Sequence, residues 1–315
     1  MKAAILEEYG GIPRYGDFDE PEGGDGVAVL PVLAAVLNPS DISRARGPGR
    51  FFVAPPPLPY VVGREGVALT ADGRRMYFGA TAGPFGSCAE RCAVEERTLV
   101  ELPGGLDEGV AASLGTSGTG WLALEWRASL KAGETVVILG ATGVVGQIAL
   151  QAARLLGAKR VVAVGRSTVR LERALELGAD AAIEIGDPAT LGARLSDACD
   201  GGFDVALDPL WGEPLAAALE AAKPGARIVQ IGQSAGPIAP LASTAVRGKM
   251  LSLLGYTNFN RLVPAEERER AFRTMLDHAA AGRLVVDTER VPLAEAGAAW
   301  ERQTRSPGAK LVIVP

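Results

Sequence analysis

Histidine and cysteine are scarce in this sequence. Its 315 residues include one histidine, His278, and three cysteines. Three cysteines are too few for a disulfide framework, so a cytoplasmic protein is expected. A single histidine sharply limits histidine-based metal binding and acid–base catalysis.

Long apolar runs and basic runs are missing as well. Although 48% of the residues are hydrophobic, no uninterrupted apolar run reaches the ~18–20 residues of a membrane span. The segment MKAAILEEYGG lacks the apolar core of a signal peptide, so none is expected. A net charge of −5 argues against a broad nucleic-acid surface. The expected partner is therefore a small molecule, with no role for nucleic acid or a membrane.

The character of the sequence changes near residue 107. Before this point, short apolar runs separated by Pro and Gly clusters predict a β-rich, irregular region. From Glu134 onward, strand-like and helix-like segments alternate. The predicted strands are Thr135–Leu139, Arg160–Val164, Ala181–Ile185, Phe203–Asp208, Ala226–Ile231 and Leu251–Leu254. This alternation predicts an α/β fold with a doubly wound parallel sheet that is covered on both faces.

A glycine-rich turn joins the first of these strands to a helix. Gly140 lets the chain turn sharply, Gly143 removes a side chain where a pyrophosphate must approach, and Gly146 lets the helix pack close to the strand. The helix N-terminus offers free N–H groups to phosphates. A purely packing role for the glycines is the weaker alternative in this strand–turn–helix context. The predicted cofactor residues here are Gly140, Thr142, Gly143, Val144, Val145 and Gly146.

The residues after the second strand indicate which dinucleotide binds. An NAD-selective site usually places Asp or Glu there, about 20 residues beyond the turn, to accept the ribose 2′-OH. This sequence has Gly165, Arg166 and Ser167 instead. Arg166 offers donors for a 2′-phosphate, Ser167 can cap the next helix or bind the phosphate, and Arg170 lies one turn later. NADP(H) is the predicted cofactor, and solvated surface charges are the alternative.

Short motifs along nearly the whole chain resemble a known family. They are Asn38-Pro-Ser-Asp41, Pro59–Gly66, Gly86–Glu90, Thr119–Leu124, Gly140–Gly146 and Gly178-Ala-Asp180. Each is short, but their order and spacing are similar to those of the medium-chain dehydrogenase/reductases. The resemblance is to the zinc-independent quinone oxidoreductase branch of that superfamily.

The resemblance implies a β-rich GroES-like catalytic domain around a Rossmann dinucleotide-binding domain. It assigns residues 1–112 and 257–315 to the first and residues 113–256 to the second, with the active site in the cleft between them. It also implies a homodimer formed through the edge strand around Leu251–Leu254. By position, Thr119 would contact the nicotinamide ribose or amide, and Gly232 and Gln233 would flank the cofactor.

The resemblance also suggests residues near the reacting groups. Asn38 would line the site near the nicotinamide. Phe51 or Phe52 falls where relatives have an aromatic residue near the substrate, and Phe52 is the candidate retained. Asp41 is a candidate catalytic carboxylate, although a turn or structural role is the commoner one. Asp208, which ends the fourth strand, either approaches the cofactor or forms an ordinary turn.

The sequence departs from the family pattern at several positions. Arg64 stands where zinc-dependent relatives have a histidine, and the four closely spaced cysteines of a zinc lobe are missing, so no metal is expected. Cys88 and Cys92 are expected to be buried packing residues. Ile185 stands where relatives often have a tyrosine near the adenosine phosphate, which weakens the expected cofactor pocket.

The predicted function is zinc-independent, NADPH-dependent hydride transfer to a quinone or an α,β-unsaturated carbonyl. Conjugated acceptors need little Lewis-acid help, because the negative charge spreads as the hydride arrives. A non-catalytic NADPH-binding redox sensor is one alternative, favoured by Ile185. An enoyl reductase acting on carrier-bound acyl chains is another, with Arg44, Arg46 and Arg50 as its candidate entrance patch.

Overall fold

The computed structural model describes residues 1–49, 53–260 and 262–315. The helices are α1 Pro39–Ala45, α2 Glu108–Ser117, α3 Thr119–Leu122, α4 Val144–Leu155, α5 Thr168–Glu176, α6 Pro188–Ala198, α7 Gly212–Ala218, α8 Ser243–Gly248, α9 Ala265–Ala280 and α10 Ala296–Thr304. The strands of the N-terminal part are β1 Lys2–Leu6, β2 Arg14–Asp17, β3 Val27–Val36, β4 Tyr60–Val61, β5 Gly66–Leu69, β6 Arg75–Phe78, β7 Arg91–Glu95 and β8 Val100–Glu101. Those that follow are β9 Thr135–Leu139, β10 Arg160–Gly165, β11 Ala181–Glu184, β12 Phe203–Asp208, β13 Ala222–Gln230, β14 Ser252–Gly255, β15 Thr288–Pro292 and β16 Lys310–Val314.

Contacts divide the chain into two compact units. The first unit comprises Met1–Ser117 and Phe272–Pro315, and the second comprises Gly118–Ala271. The boundaries predicted from the sequence, 112/113 and 256/257, lie earlier in the chain. Helix α2 accounts for the first difference, because it is one continuous helix that packs on β3 and β5 of the first unit.

The second unit is built on a parallel sheet with the strand order β11-β10-β9-β12-β13-β14. Each strand predicted from Glu134 onward is present, and β13 begins earlier than predicted, at Ala222. In the central strand β9, residues Val136–Leu139 are completely buried, as a strand covered on both faces requires. The chain reverses its direction of travel through the sheet between β9 and β12. Open α/β sheets bind ligands in the crevice at the carboxyl ends of such a strand pair.

The first unit is rich in antiparallel strands. One sheet has the order β2-β1-β4, and another has the order β15-β16-β3-β5-β6-β8, with β7 also paired to β3. A tight hairpin joins β5 to β6, and Gly73 supplies its left-handed residue at φ +83°. The C-terminal strand β16 pairs with β3 through Val312 opposite Val36. The end of the chain therefore completes a sheet begun near its start.

The core of the first unit is made of apolar side chains from distant parts of the sequence. Leu37, Phe78, Trp300 and Ile313 lie in one buried cluster, and Cys88 and Cys92 pack into it with no exposed surface. The predicted fold class, a doubly wound parallel sheet with a separate β-rich unit, is confirmed. Within the described ranges, no helix combines the length and the apolar character that crossing a membrane would require.

Candidate functional site

The predicted glycine turn lies between the carboxyl end of β9 and the start of α4. Gly140 has φ +65°, in the left-handed region that favours glycine. Gly143 is the N-cap of α4, so the first N–H groups of this helix have no carbonyl partner within it. Residues Thr142–Val145 include partly exposed positions, whereas Gly146 is buried. The turn therefore presents unpaired helix N–H groups and the positive end of a helix dipole at an accessible edge.

Gly143 and Gly146 are glycines for different physical reasons. A Cβ at Gly146 would lie 2.5 Å from the Gly140 carbonyl oxygen and 2.6 Å from the Ala141 Cα, so packing alone requires glycine there. A Cβ at Gly143 would meet only the Gly140 oxygen, at 3.6 Å, and its φ of −86° suits any residue. Nothing within the described part of the second unit requires glycine at 143. The missing side chain instead leaves open space in front of the helix, as the close approach of a phosphate needs.

The end of β10 lies against this turn. A Cβ on Gly165 would lie 2.7 Å from the Thr142 Cγ2, so the two loops are in direct contact. Arg166, the next residue, is exposed. The Ser167 hydroxyl is the N-cap of α5 and accepts a hydrogen bond from the Arg170 N–H at 3.4 Å. Of the two roles predicted for Ser167, the structure shows the helix cap. Arg166 places an exposed positive charge beside the turn.

The loop after β12 meets the same turn, and the loop after β13 packs on the loop after β12. A Cβ on Gly140 would lie 3.0 Å from the Pro209 Cγ, and one on Gly232 would lie 2.8 Å from the Pro209 oxygen. Gln233 follows Gly232 directly in the chain. On the other side, Gly120 packs on the first turn of α4, which places the preceding Thr119 near it. The cofactor residues predicted from the sequence therefore converge at the crevice between β9 and β12.

Asp208 is buried at this crevice. Its Oδ1 accepts hydrogen bonds from the N–H groups of Leu210 and Trp211, both at 2.9 Å, so it does form a turn. Among the described residues, its Oδ2 has no hydrogen-bond partner. Burial raises the pKa of Asp208 from 3.8 to about 6, and the two N–H groups oppose that rise. Trp211 has φ +59°, unusual for a bulky side chain, so the Asp208 turn holds a strained loop in place.

Sequence reasoning missed an arginine that orders the neighbouring turn after β11. The Arg194 guanidinium donates to the carbonyl oxygens of Glu184 at 2.5 Å and Ile185 at 2.6 Å. The Ile185 N–H in turn donates to the Gly165 carbonyl at 2.8 Å. Backbone contacts therefore fix the segment where relatives often have a tyrosine. An arginine on the following helix gave no sequence signal for this role.

The first unit contains a buried polar network centred on Asn38. The Asn38 Nδ2 donates to Glu65 at 2.8 Å, and the Lys310 ammonium donates to the Asn38 Oδ1 and to the Ser117 hydroxyl. Glu65 also accepts hydrogen bonds from the Tyr77 hydroxyl at 2.9 Å and from a backbone N–H of α2. Asn38, Glu65 and Lys310 are each only 2% exposed. The Asn38 amide thus links a buried ammonium to a buried carboxylate.

The network explains the electrostatics of its members. Burial lowers the pKa of Lys310, while the negative charges of Glu65 and Asp41 oppose that shift. Burial, together with Glu65, raises the pKa of Tyr77 well above its usual range. Glu65, Tyr77 and Lys310 were not among the predicted site residues. A lysine at the start of the otherwise apolar strand β16 was the available signal, because such a position faces a core.

Asp41 lies next to this network, within helix α1. Its Oδ2 accepts a hydrogen bond from the Asn38 N–H at 2.8 Å, which holds the first turn of α1. It is 5% exposed, and burial raises its pKa from 3.8 to about 6. A catalytic role for Asp41 stays a prediction beside this structural one. Phe52 and Phe51 lie outside the described residues, so their predicted place near the substrate is untested.

Metal-binding side chains do not cluster in the part of the chain that the structure describes. No group of three or more His, Cys, Asp or Glu residues there could hold an ion. Arg64 occupies the position discussed above for zinc-dependent relatives, and Glu65 beside it is engaged in the Asn38 network.

The chain is similar to several known proteins. A family model described as zinc-binding dehydrogenase matches residues 144–279. The quinone oxidoreductase of Thermus thermophilus, solved also with NADPH, is 32% identical and superposes with a TM-score of 0.85 over 100% of both chains. The chloroplastic NADPH-dependent alkenal/one oxidoreductase of Arabidopsis thaliana is 34% identical over 58% of this chain. The 2-methylene-furan-3-one reductase of Solanum lycopersicum is 33% identical, also over 58% of this chain.

The chain belongs to the medium-chain dehydrogenase/reductase superfamily, in its zinc-independent quinone oxidoreductase branch. The resemblance based on the short motifs is thereby confirmed. The match spans 52% of the length of both the Arabidopsis and the tomato enzymes, about half of these curated relatives.

Replacement by alanine is expected to have different effects at Gly143 and at Gly146. Gly143→Ala is expected to leave the melting temperature within about 2 °C, since its new Cβ meets nothing closer than 3.6 Å, yet to weaken NADPH binding at least about tenfold. Gly146→Ala, the matched control for packing, should lower the melting temperature by several degrees, since its Cβ would overlap backbone atoms. Calorimetry and fluorescence titration measure both. Equal effects of the two changes on stability would contradict this separation.

The buried network predicts energetic coupling between Lys310 and Glu65. Lys310→Met should destabilise the protein by about 3 kcal/mol, because it leaves a buried carboxylate without its compensating charge. Adding Glu65→Gln should recover part of that loss, giving a coupling energy of at least about 1 kcal/mol in a double-mutant cycle. Denaturant unfolding measures the cycle, and Lys159→Met, at an exposed position, is the control. Strictly additive effects would show that the amide bridge carries no coupling.

Asp208 predicts a pH-dependent contribution to stability. The folded state keeps a proton on Asp208 up to about pH 6, whereas the unfolded chain releases it near 3.8. The contribution of Asp208 to the free energy of unfolding is therefore complete at low pH and is lost as the pH rises through about 6. Asp208→Asn, which retains the oxygen of the turn, should gain about 2–3 kcal/mol relative to wild type between about pH 4 and 7. Unfolding curves across this interval test it, with Asp197→Asn on the surface of α6 as control. Parallel profiles for all three proteins would refute it.

Proposed function

We propose that this protein is an NADPH-dependent oxidoreductase that transfers hydride to a quinone or an α,β-unsaturated carbonyl without a catalytic zinc. The observation that carries the proposal is Gly143, a glycine that the fold itself does not require, at a helix N-terminus beside an exposed arginine. The names of the relatives support it, since they include NADPH-dependent enone reduction and quinone reduction.

The residues of the second unit fit NADP(H). Bound NADPH would supply the hydride. The free N–H groups at the start of α4 would bind the pyrophosphate, where Gly143 gives it room. Arg166 would pair with the 2′-phosphate, since no carboxylate stands at the end of β10 to favour a 2′-OH. Thr119, Gly232 and Gln233 would flank the rest of the cofactor.

The proposed roles of the first unit's residues rest on their family positions. Asn38 would hydrogen-bond the acceptor or the nicotinamide, and its bond to Glu65 uses one of the two Nδ2 hydrogens. Its hydrogen bonds to Lys310 and Glu65 would fix the orientation of the Asn38 amide, which is only 2% exposed. Asp41 and Phe52 complete the set of residues proposed near the reacting groups, and water would return the proton.

Assembly and location are further parts of the proposal. Strand β14 is an edge of the parallel sheet, and edge strands present unpaired backbone groups. Leu253 in this strand is 38% exposed and nearby Met250 is 81% exposed, which supports a homodimer formed along β14. The low cysteine content supports a cytoplasmic location.

The two alternatives stay open as hypotheses. A redox sensor would bind NADPH and a partner without turnover. An enoyl reductase for carrier-bound acyl chains would need the basic patch of Arg44, Arg46 and Arg50, and Arg50 lies outside the described residues. Oxidation of NADPH in a screen of free quinones and enones favours the main proposal over both.

Arg166→Ala is expected to separate NADPH from NADH. Because a charge-assisted hydrogen bond to the 2′-phosphate is lost, the Kd for NADPH should rise about 10- to 100-fold. The Kd for NADH, which lacks that phosphate, should change less than about twofold. Fluorescence titration measures both, and Arg173→Ala on the helix that follows is the matched control. An equal loss for the two dinucleotides would remove Arg166 from the phosphate site.

A further inference from the structure

One arginine of helix α6 is bonded to the end of strand β11 in the second unit. The Arg194 Nη1 donates to the Glu184 carbonyl oxygen at 2.5 Å, and its Nη2 donates to the Ile185 carbonyl oxygen at 2.6 Å. Its Nε donates to the Thr190 hydroxyl at 3.3 Å, one turn earlier in α6. Because all three guanidinium nitrogens donate within the unit, the half-buried side chain is held in one orientation.

The end of β11 is a place where such a restraint has an effect. This strand lies at the edge of the parallel sheet and pairs with β10, whereas the central strands are held from both sides. Gly186, just beyond its end, has φ +52°, and a Cβ there would lie 3.4 Å from the Arg194 Nη2. Glycine lets the chain turn sharply but has more backbone freedom to lose than other residues. The guanidinium therefore restrains a segment that strand pairing and residue type restrain only weakly.

The restrained segment is bonded in turn to the end of β10. The Ile185 N–H donates to the Gly165 carbonyl oxygen at 2.8 Å, and Gly165 lies opposite Glu184 in the register of the two strands. Arg166 is the next residue in the chain, and its side chain is exposed. Hydrogen bonds thus run without a break from Arg194 through Ile185 to the backbone that carries Arg166.

The position of that backbone matters more for one part of a dinucleotide than for the other. A long side chain loses rotamer freedom when it pairs with a ligand, and a displaced backbone at its base adds to this cost. The N-terminus of α4 is fixed separately, by the packing of Gly146 on backbone atoms of the glycine turn. A shift at the end of β10 would therefore weaken a contact from Arg166 more than contacts from the N–H groups of α4.

We infer that Arg194 is a positioning residue that sets the preference for NADPH over NADH. It holds the end of β11, which holds the end of β10 in the place from which Arg166 reaches the 2′-phosphate. This inference rests on the proposed function for the binding of NADPH and for the role of Arg166.

Arg194→Met, which keeps the aliphatic stem and removes the donors, tests the inference by fluorescence titration. The Kd for NADPH should rise about tenfold, and the Kd for NADH should change less than about twofold. Arg194→Lys should retain part of the preference, because an ammonium can still donate to one of the two carbonyl oxygens. A merely structural arginine would weaken both dinucleotides equally, and that result would overturn the inference.

Arg154→Met is the matched control. Arg154 also donates to backbone carbonyl oxygens of the second unit, those of Gly178 at 2.8 Å and Lys159 at 3.2 Å. These two residues precede β11 and β10, so they lie at the opposite end of the sheet from Arg166. This change should lower the melting temperature and leave the ratio of the two Kd values within about twofold of wild type. A loss of preference as large as in Arg194→Met would overturn the inference.

A double-mutant cycle tests whether Arg194 acts through Arg166. Since Arg166→Ala removes the group that is positioned, adding Arg194→Met to it should raise the Kd for NADPH less than about twofold further. Additive losses would overturn this route.

The titrations contain no hydride acceptor, so the inference and the proposed function fail separately. A preference for NADPH that is lost in Arg194→Met, with no quinone or enone reduced by wild type, would support the inference and count against the proposed function. Reduction of enones by wild type, with the preference unchanged in Arg194→Met, would overturn the inference alone.

Discussion

Helix α4 approaches the end of strand β9 so closely that no side chain fits between them. At Gly146 a Cβ would lie 2.5 Å and 2.6 Å from backbone atoms of the turn, and backbone atoms cannot move aside as a rotamer can. This contact sets the position of the helix N-terminus. The loops after β10 and β12 pack against the same turn, and the loop after β13 packs on the loop after β12. Packing therefore determines the shape of the crevice. Packing does not require glycine at position 143, and Gly143 leaves space for a phosphate at the helix N-terminus.

The first unit depends on a different device, an amide placed between two opposite charges. A direct buried ion pair must repay the desolvation of both partners. Asn38 instead accepts from Lys310 with one end of its side chain and donates to Glu65 with the other. The amide thereby satisfies both charged groups while keeping them apart. Since Lys310 lies in the last strand and Asn38 at the start of α1, this contact also fastens the C-terminal strand to the N-terminal part of the unit.

The elements that local sequence patterns encode, such as buried strands and the glycine turn, could be predicted best from the sequence. Buried parallel strands are continuous apolar runs, so β9 and β12 are predicted to the residue, and the glycine spacing locates the turn between β9 and α4. The first unit is predicted only in outline, because its short strands pair across long separations. Its central contact joins residues 272 positions apart, which no local pattern encodes. Arg194 was missed for a related reason, since its partners are backbone carbonyls, which carry no residue-specific signal.

Arg64 illustrates how one departure from a family pattern changes what a site can do. A guanidinium is a fixed positive charge with five donor hydrogens and no lone pair to give to a metal. It therefore cannot take over the role of the histidine found in zinc-dependent relatives. It can raise the local potential around Arg44, to which it lies close enough to lower the pKa. The departure at Arg64 therefore replaces a candidate metal ligand with a fixed positive charge.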